Sequence, residues 1–154
     1  MFVITRVGLA VMLATSLPGQ GCLDMFKNSP TTPTAVTAEA FDGSWASVAT
    51  STASQTCTNF QWAVTSVTLT GVSGTWSALC YGTVQVSGTA AGTLDAGKLN
   101  WTATGTGTAP NVGSCPVALA GSATLEGSQI RIPYSGSTCL GPVAGTEILR
   151  KPSL

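Results

Sequence analysis

Alternation of apolar and hydroxyl side chains limits most sharply what this chain can become. Val84, Val86, Gly88 and Ala90 alternate with Gln85, Ser87 and Thr89, and Leu99, Trp101 and Ala103 alternate with Asn100, Thr102 and Thr104. Val117, Leu119, Gly121, Ala123 and Leu125 form a third such face, and Ile130, Ile132 and Tyr134 a fourth. A period of two, with one apolar and one Ser/Thr face, marks antiparallel strands that are wet on one side. No window after residue 41 carries a helical period with caps. The chain is therefore read as all-β, a single antiparallel meander of about eight strands forming a small barrel, with a β-sandwich as the alternative. The strands are expected at 43–48, 60–69, 75–80, 83–92, 98–106, 117–125, 129–135 and 143–150.

Glycine places the turns. Gly71 to Gly74, Asp95 to Gly97 and Glu126 to Ser128 read as tight connections, each with the glycine a short hairpin needs. Matching apolar faces across the second of these puts Gly92 opposite Trp101. The longer connections, 49–59, 107–116 and 136–142, then fall together at one end of the meander. The tight turns and both ends of the domain lie at the other.

Charge excludes several function classes. Six Lys/Arg balance six Asp/Glu, charged residues make up 8% of the chain, and histidine is absent. So few cations leave no electrostatic footprint for nucleic acid, whose binding rests on phosphate neutralisation. Without histidine there is no Ser-His-Asp triad, Cys-His dyad or imidazole metal site. Among the acids, Asp95 and Glu126 belong to turns, and Glu147 on the last strand is placed to approach Arg131 across a hairpin. Paired-carboxylate hydrolysis needs two acids aimed at one cleft, and nothing in the spacing of Asp42, Asp95, Glu126 and Glu147 aims them so. No catalytic residue, cofactor or metal ligand is assigned, and the chain is read as a non-enzyme.

The first residues read as an address. One positive charge in Met1 to Arg6 precedes the uncharged, mostly apolar run Val7 to Leu17, and Pro18-Gly19-Gln20-Gly21 leads into Cys22. That is the layout of a secretory signal, with an apolar stretch too short to span a bilayer. With a cysteine just after the break, the segment resembles a bacterial lipoprotein precursor. The resemblance implies that Cys22 is acylated and becomes the new N-terminus; Gly19 stands where that family usually has Leu. Residues 1–21 are thus the expected signal peptide. Residues 22–40 are the expected anchor and Ser/Thr/Pro-rich tether, and residues 41–151 the all-β domain. Lipid on Cys22 leaves Cys57, Cys80, Cys115 and Cys139 to pair evenly in an oxidising compartment. The favoured pairing is Cys57–Cys80 and Cys115–Cys139, each flanking one hairpin. Spacings of 23, 35 and 24 residues lack the close pairs of a zinc site.

Four tryptophans lie on four different strands. Parity puts Trp62 and Trp101 in the core, while Trp45 and Trp76 remain candidate ligand aromatics. Gly43-Ser44-Trp45 opening the first strand and Arg150 closing the last weakly resemble the calycins, the lipocalin and avidin group of meander barrels. That likeness implies a late Arg packed over the Trp and a barrel mouth able to admit a small apolar ligand.

Together these readings describe an exported, lipid-anchored envelope module that binds through disulfide-pinned loops. Its candidate contact residues are Tyr81, Asn111, Val112, Leu140 and Pro142. The partner is an envelope protein, a glycan or a small apolar ligand. The alternatives are a periplasmic hydrolase inhibitor and a calycin-like carrier.

Overall fold

The structure, a computed structural model, describes residues 35–48, 56–109, 111 and 113–153. They belong to one compact unit, Thr34–Leu154, and the expected signal peptide and Cys22 lie outside the described residues. Eight antiparallel strands follow one another in space as in sequence: β1 Ser44–Ser47, β2 Cys57–Val67, β3 Gly71–Cys80, β4 Val84–Asp95, β5 Lys98–Ala109, β6 Gly113–Glu126, β7 Gln129–Thr138 and β8 Gly141–Arg150. Pairing of β1 with β8 closes the barrel. The expected meander is therefore the observed one, as a barrel and not a sandwich, and Gly92 does face Trp101 across β4 and β5.

Inward positions are mostly apolar and outward positions mostly Ser, Thr and Ala. A barrel wall facing lipid carries the reverse, an apolar outer band over a polar lumen. Trp45, Trp62 and Trp76 are register neighbours across β1, β2 and β3, and the same row continues into Gly88 on β4 and Gly105 on β5. Large side chains on one wall thus fill the space left by missing ones on the next, which is how a narrow barrel reaches interior packing density.

Those glycines have a second use. A Cβ added at Gly74, Gly88, Gly105, Gly121 or Gly136 would lie less than 2.5 Å from a carbonyl oxygen of the adjoining strand. Gly107, at 2.3 Å, is a second such position on β5, and with at least one on each of β3 to β7 the strands can bend toward each other and turn the barrel's corners. At Gly88 the carbonyl that would be struck is that of Thr104, and the Trp76 indole N–H donates to that same oxygen at 3.2 Å.

Several expectations are corrected by these bends. Gly71 and Gly74 lie within β3, and the turn falls at 68–70 instead. The connections expected at 107–116 and 136–142 shrink to 110–112 and 139–140, because Gly107 and Gly136 lie inside strands and Gly113 and Gly141 begin them. The folded part also starts earlier than Phe41. A 3₁₀ turn, Ala38–Phe41, lies against β2 and β3 near the tight-turn end, with Ala38 and Phe41 fully buried and Phe41 O accepting the Trp45 indole N–H at 2.8 Å.

Candidate functional site

At the end opposite the 3₁₀ turn, two disulfides pin the rim. Cys57–Cys80 joins β2 to β3, and Cys115–Cys139 joins β6 to the β7–β8 turn, the pairing favoured from sequence. Between Cys80 and Val84, Tyr81 and Gly82 take φ of 51° and 68°, and Thr83 N–H donates to Cys80 O. Consecutive left-handed residues make this a primed hairpin turn. A left-handed conformation costs an ordinary side chain about 1–2 kcal/mol, so Tyr81 must be held in place. Its N–H donates to Thr56 O at 2.7 Å and its hydroxyl to Pro142 O at 2.7 Å. Tyr81 thus spans from the β3–β4 turn to β8 and is 37% exposed as a residue, and Leu140 in the β7–β8 turn is 43% exposed.

Three of the five candidate contact residues therefore gather on one rim. Pro142 sits on β8 rather than in a loop, because the β7–β8 connection is only two residues long. Asn111, exposed with φ of 65°, lies in the separate 110–112 connection. Val112 and Cys22 fall outside the described residues.

Charge is segregated along the barrel. The sequence carries no Asp, Glu, Lys or Arg in 43–94, 99–125 or 132–146. Asp95 and Lys98 flank the β4–β5 turn, Glu126 ends β6, Arg131 is the third residue of β7, Arg150 and Lys151 lie at the end of β8 and just beyond it, and Glu39 and Asp42 accompany the 3₁₀ turn. All these lie toward the tight-turn end. The rim and the wall below it are uncharged.

Glu147 is the exception, a carboxyl turned into the barrel and 2% exposed. The expected ion pair with Arg131 does not form. On β8 the residue beside Arg131 is Ile148, and the parity of the strand sends Glu147 inward while Arg131 points out. Ser47 Oγ instead donates to Glu147 and accepts from Phe60 N–H. Burial without a cation pushes the Glu147 carboxyl above its ordinary value, partly offset by the Ser47 bond. Nearby, Tyr134 on β7 crosses Gly145 of β8 to reach Cys57 on β2, its hydroxyl accepting from Cys57 N–H at 2.9 Å and donating to Cys57 O at 2.8 Å. Burial pushes this phenol up as well. These groups complete the closure where β1, only four residues long, leaves β8.

Neither candidate ligand aromatic is available. Trp45 and Trp76 are 3% and 5% exposed, and both indole N–H groups are bonded to backbone carbonyls. The cation over the Trp45 ring is Lys151 at 4.9 Å, not Arg150, which lies beside Gln129. Inside the barrel an apolar cavity of about 30 Å³ is lined by residues including Trp62, Trp76, Leu99, Trp101 and Ile132. The indole N–H groups of Trp62 and Trp101 are buried without a protein partner. A space of this size takes one or two waters and no larger ligand.

The outer wall holds a feature that sequence reasoning missed. A β-bulge in β2, between Thr58 and Gln61, turns Thr58 and Asn59 outward together, with Asn59 at φ of 54°. Beside it runs a polar groove of about 310 Å³ that includes Ser47, Asn59, Gln61, Ser77 and Gln85. It adjoins a second groove of about 700 Å³ lined by Ser44, Gln61, Thr75, Ser77, Ser87 and Thr89 among others. Only the out-of-pattern pair Thr58-Asn59, between inward Cys57 and Phe60, could have signalled the bulge. No family model, curated protein or solved structure matches this chain.

Proposed function

We propose that this chain is an exported, non-enzymatic binding module of the bacterial cell envelope, anchored by lipid on Cys22. Its uncharged, disulfide-pinned rim is turned away from the membrane toward a partner. The observation that carries the reading is the segregation of charge. Every exposed charged residue of the described domain lies toward the end from which the tether leaves, while the far end exposes Tyr81 and Leu140 on a rigid support. Tyrosine is among the residues that most often carry contact energy, and loops held by a rigid scaffold are where binding residues concentrate. The two disulfides support an oxidising, exported setting. An interior with room for one or two waters favours this reading over a carrier of apolar ligands.

Cys22→Ser should move the protein from the membrane to the soluble fraction of its host. A photo-reactive residue at Leu140 should form adducts with envelope material, whereas one at Lys98 should not. Adducts from Lys98 alone, or a chain that stays in the membrane without Cys22, would refute the orientation or the anchor respectively.

A further inference from the structure

Below the rim, the groove over β1 to β4 is a built polar surface that nothing in the fold uses. The side-chain amides of Asn59, Gln61 and Gln85 make no hydrogen bond among the described residues, although all three border one groove. Ser77 joins that groove to the larger one, where Ser44, Thr75, Ser87 and Thr89 add hydroxyls. From Thr75 to Leu79 the floor extends about 13 Å along β3 at the usual strand rise, and Tyr81 stands at its upper end in the next turn. The bulge that adds Asn59 to this face is the kind of irregularity that re-aims a side chain at a functional site.

Chemistry narrows the occupant. With no charged residue in 43–94, the wall offers nothing to neutralise phosphate, sulfate or uronate, so nucleic acids and anionic glycans gain no favourable pairing there. The exposed lining of the groove beside Asn59 is mainly amide and hydroxyl, which does not suit a lipid chain, whereas the larger groove beside it is mainly apolar and counts Trp45, Trp62 and Trp76 in its lining. A peptide adding as a strand needs an unpaired sheet edge; β3 and β4 are paired on both sides along the groove, and β2 is so from Gln61 to Ala63, which leaves only the short bulged stretch at Asn59 and Phe60 without a ladder partner. Each primary amide presents a donor and an acceptor side by side, matching adjacent hydroxyls on an uncharged sugar. We infer that the groove lined by Asn59, Gln61, Ser77 and Gln85 binds a neutral oligosaccharide.

This rests on the proposed binding role and names its partner class. The test is NMR titration of the isotope-labelled full chain with cellohexaose, maltohexaose, chitohexaose and mannohexaose, with oligogalacturonate as the anionic comparison. The amide signals of Asn59, Gln61 and Gln85 should shift saturably with at least one neutral saccharide and not with the anionic one. Gln61→Ala with Gln85→Ala, both exposed positions, should weaken that binding about tenfold or more at unchanged melting temperature. Silence with all four neutral saccharides would overturn the inference, as would preference for the anionic one, or binding indifferent to the double substitution. Protection of these amides by an envelope protein instead would overturn it too. Photo-adducts from Leu140 that persist while the sugars fail would leave the binding role standing and remove only the glycan.

Discussion

Replacing Gly88 by alanine tests how the barrel is built, because the same missing Cβ serves the bend and the tryptophan. The new methyl would lie 1.9 Å from Thr104 O and 2.5 Å from Gly105 Cα, both backbone atoms. To restore a 3.0 Å separation, β5 would have to retreat by about 1.1 Å at the middle of a ladder paired from Gln85–Thr108 to Asp95–Lys98. Overpacking of this kind costs about 1–3 kcal/mol. Moving Thr104 O also breaks its bond with the Trp76 indole, and an orphaned buried donor costs about 1–3 kcal/mol more. The expected loss is therefore about 2–6 kcal/mol, a large share of the 5–15 kcal/mol that domains of this kind possess. Urea unfolding followed by tryptophan fluorescence and far-ultraviolet dichroism measures it. Trp76→Phe keeps most of the ring and removes the donor, so Gly88→Ala should cost about 1 kcal/mol less in that background. Gly127→Ala, where an added Cβ meets nothing within 4 Å but φ is +62°, isolates the backbone penalty of about 1–2 kcal/mol. If Gly88→Ala costs less than about 0.5 kcal/mol, the bend is not what this glycine provides.

Further outcomes follow from the same structure. Tyr134→Phe leaves Cys57 N–H and O without their partner and should lower stability by about 1–3 kcal/mol, read from the shift in urea midpoint; a neutral result would mean the hydroxyl does not hold β2. For Glu147 the folded value lies above the ordinary 4.5, so the native state keeps its proton when the unfolded chain has lost it. Stability should then fall as pH rises from about 4.5 through the raised value and level off beyond it. Glu147→Gln should flatten that slope and exceed the wild type at pH 8, and an unchanged slope would assign the dependence elsewhere. Cys139 is exposed while Cys57 and Cys80 are fully buried. Mild reductant followed by alkylation and mass mapping should therefore label Cys115 and Cys139 first. Serine at both should cost about 3 kcal/mol for a closed loop of this size.

Much of the architecture was legible because the period-two pattern is set locally by each strand. Parity alone put Leu99, Trp101, Ile130 and Tyr134 on the correct face, and face matching fixed the β4–β5 register. Glycine misled, since its two uses look alike in a sequence. Gly97 and Gly127 supply turns, whereas Gly74, Gly107 and Gly136 supply bends inside strands, and only the neighbouring strand's carbonyl distinguishes them. Trp45 and Trp76 stayed ambiguous for a related reason, because their fates depend on Phe41 O and Thr104 O, contacts that no spacing reveals. Glu147 was misassigned when a charge was assumed to seek solvent; strand parity sends it inward, where Ser47 receives it. The candidate rim was partly legible through its cysteines, but the amide groove depends on a bulge whose extra residue is invisible until the strands are paired.

The bond from Ser47 to Glu147 joins residues 100 apart in sequence, and that separation bears on how the chain folds. Every other strand pair is a hairpin between consecutive strands, and each disulfide spans only one of them, 23 or 24 residues. Closing the longer loop costs about 1 kcal/mol more than either disulfide-bounded one, and neither disulfide ties β1 to β8. The β1–β8 contact should thus be the last ladder to form, after a curled sheet of β2 to β8 has assembled by local steps. Oxidation can stabilise that sheet early, but closure awaits four residues of β1 and one buried carboxyl. A nascent chain would keep the β8 edge open until then, which makes this edge the place where two copies could exchange β1 in place of closing on themselves.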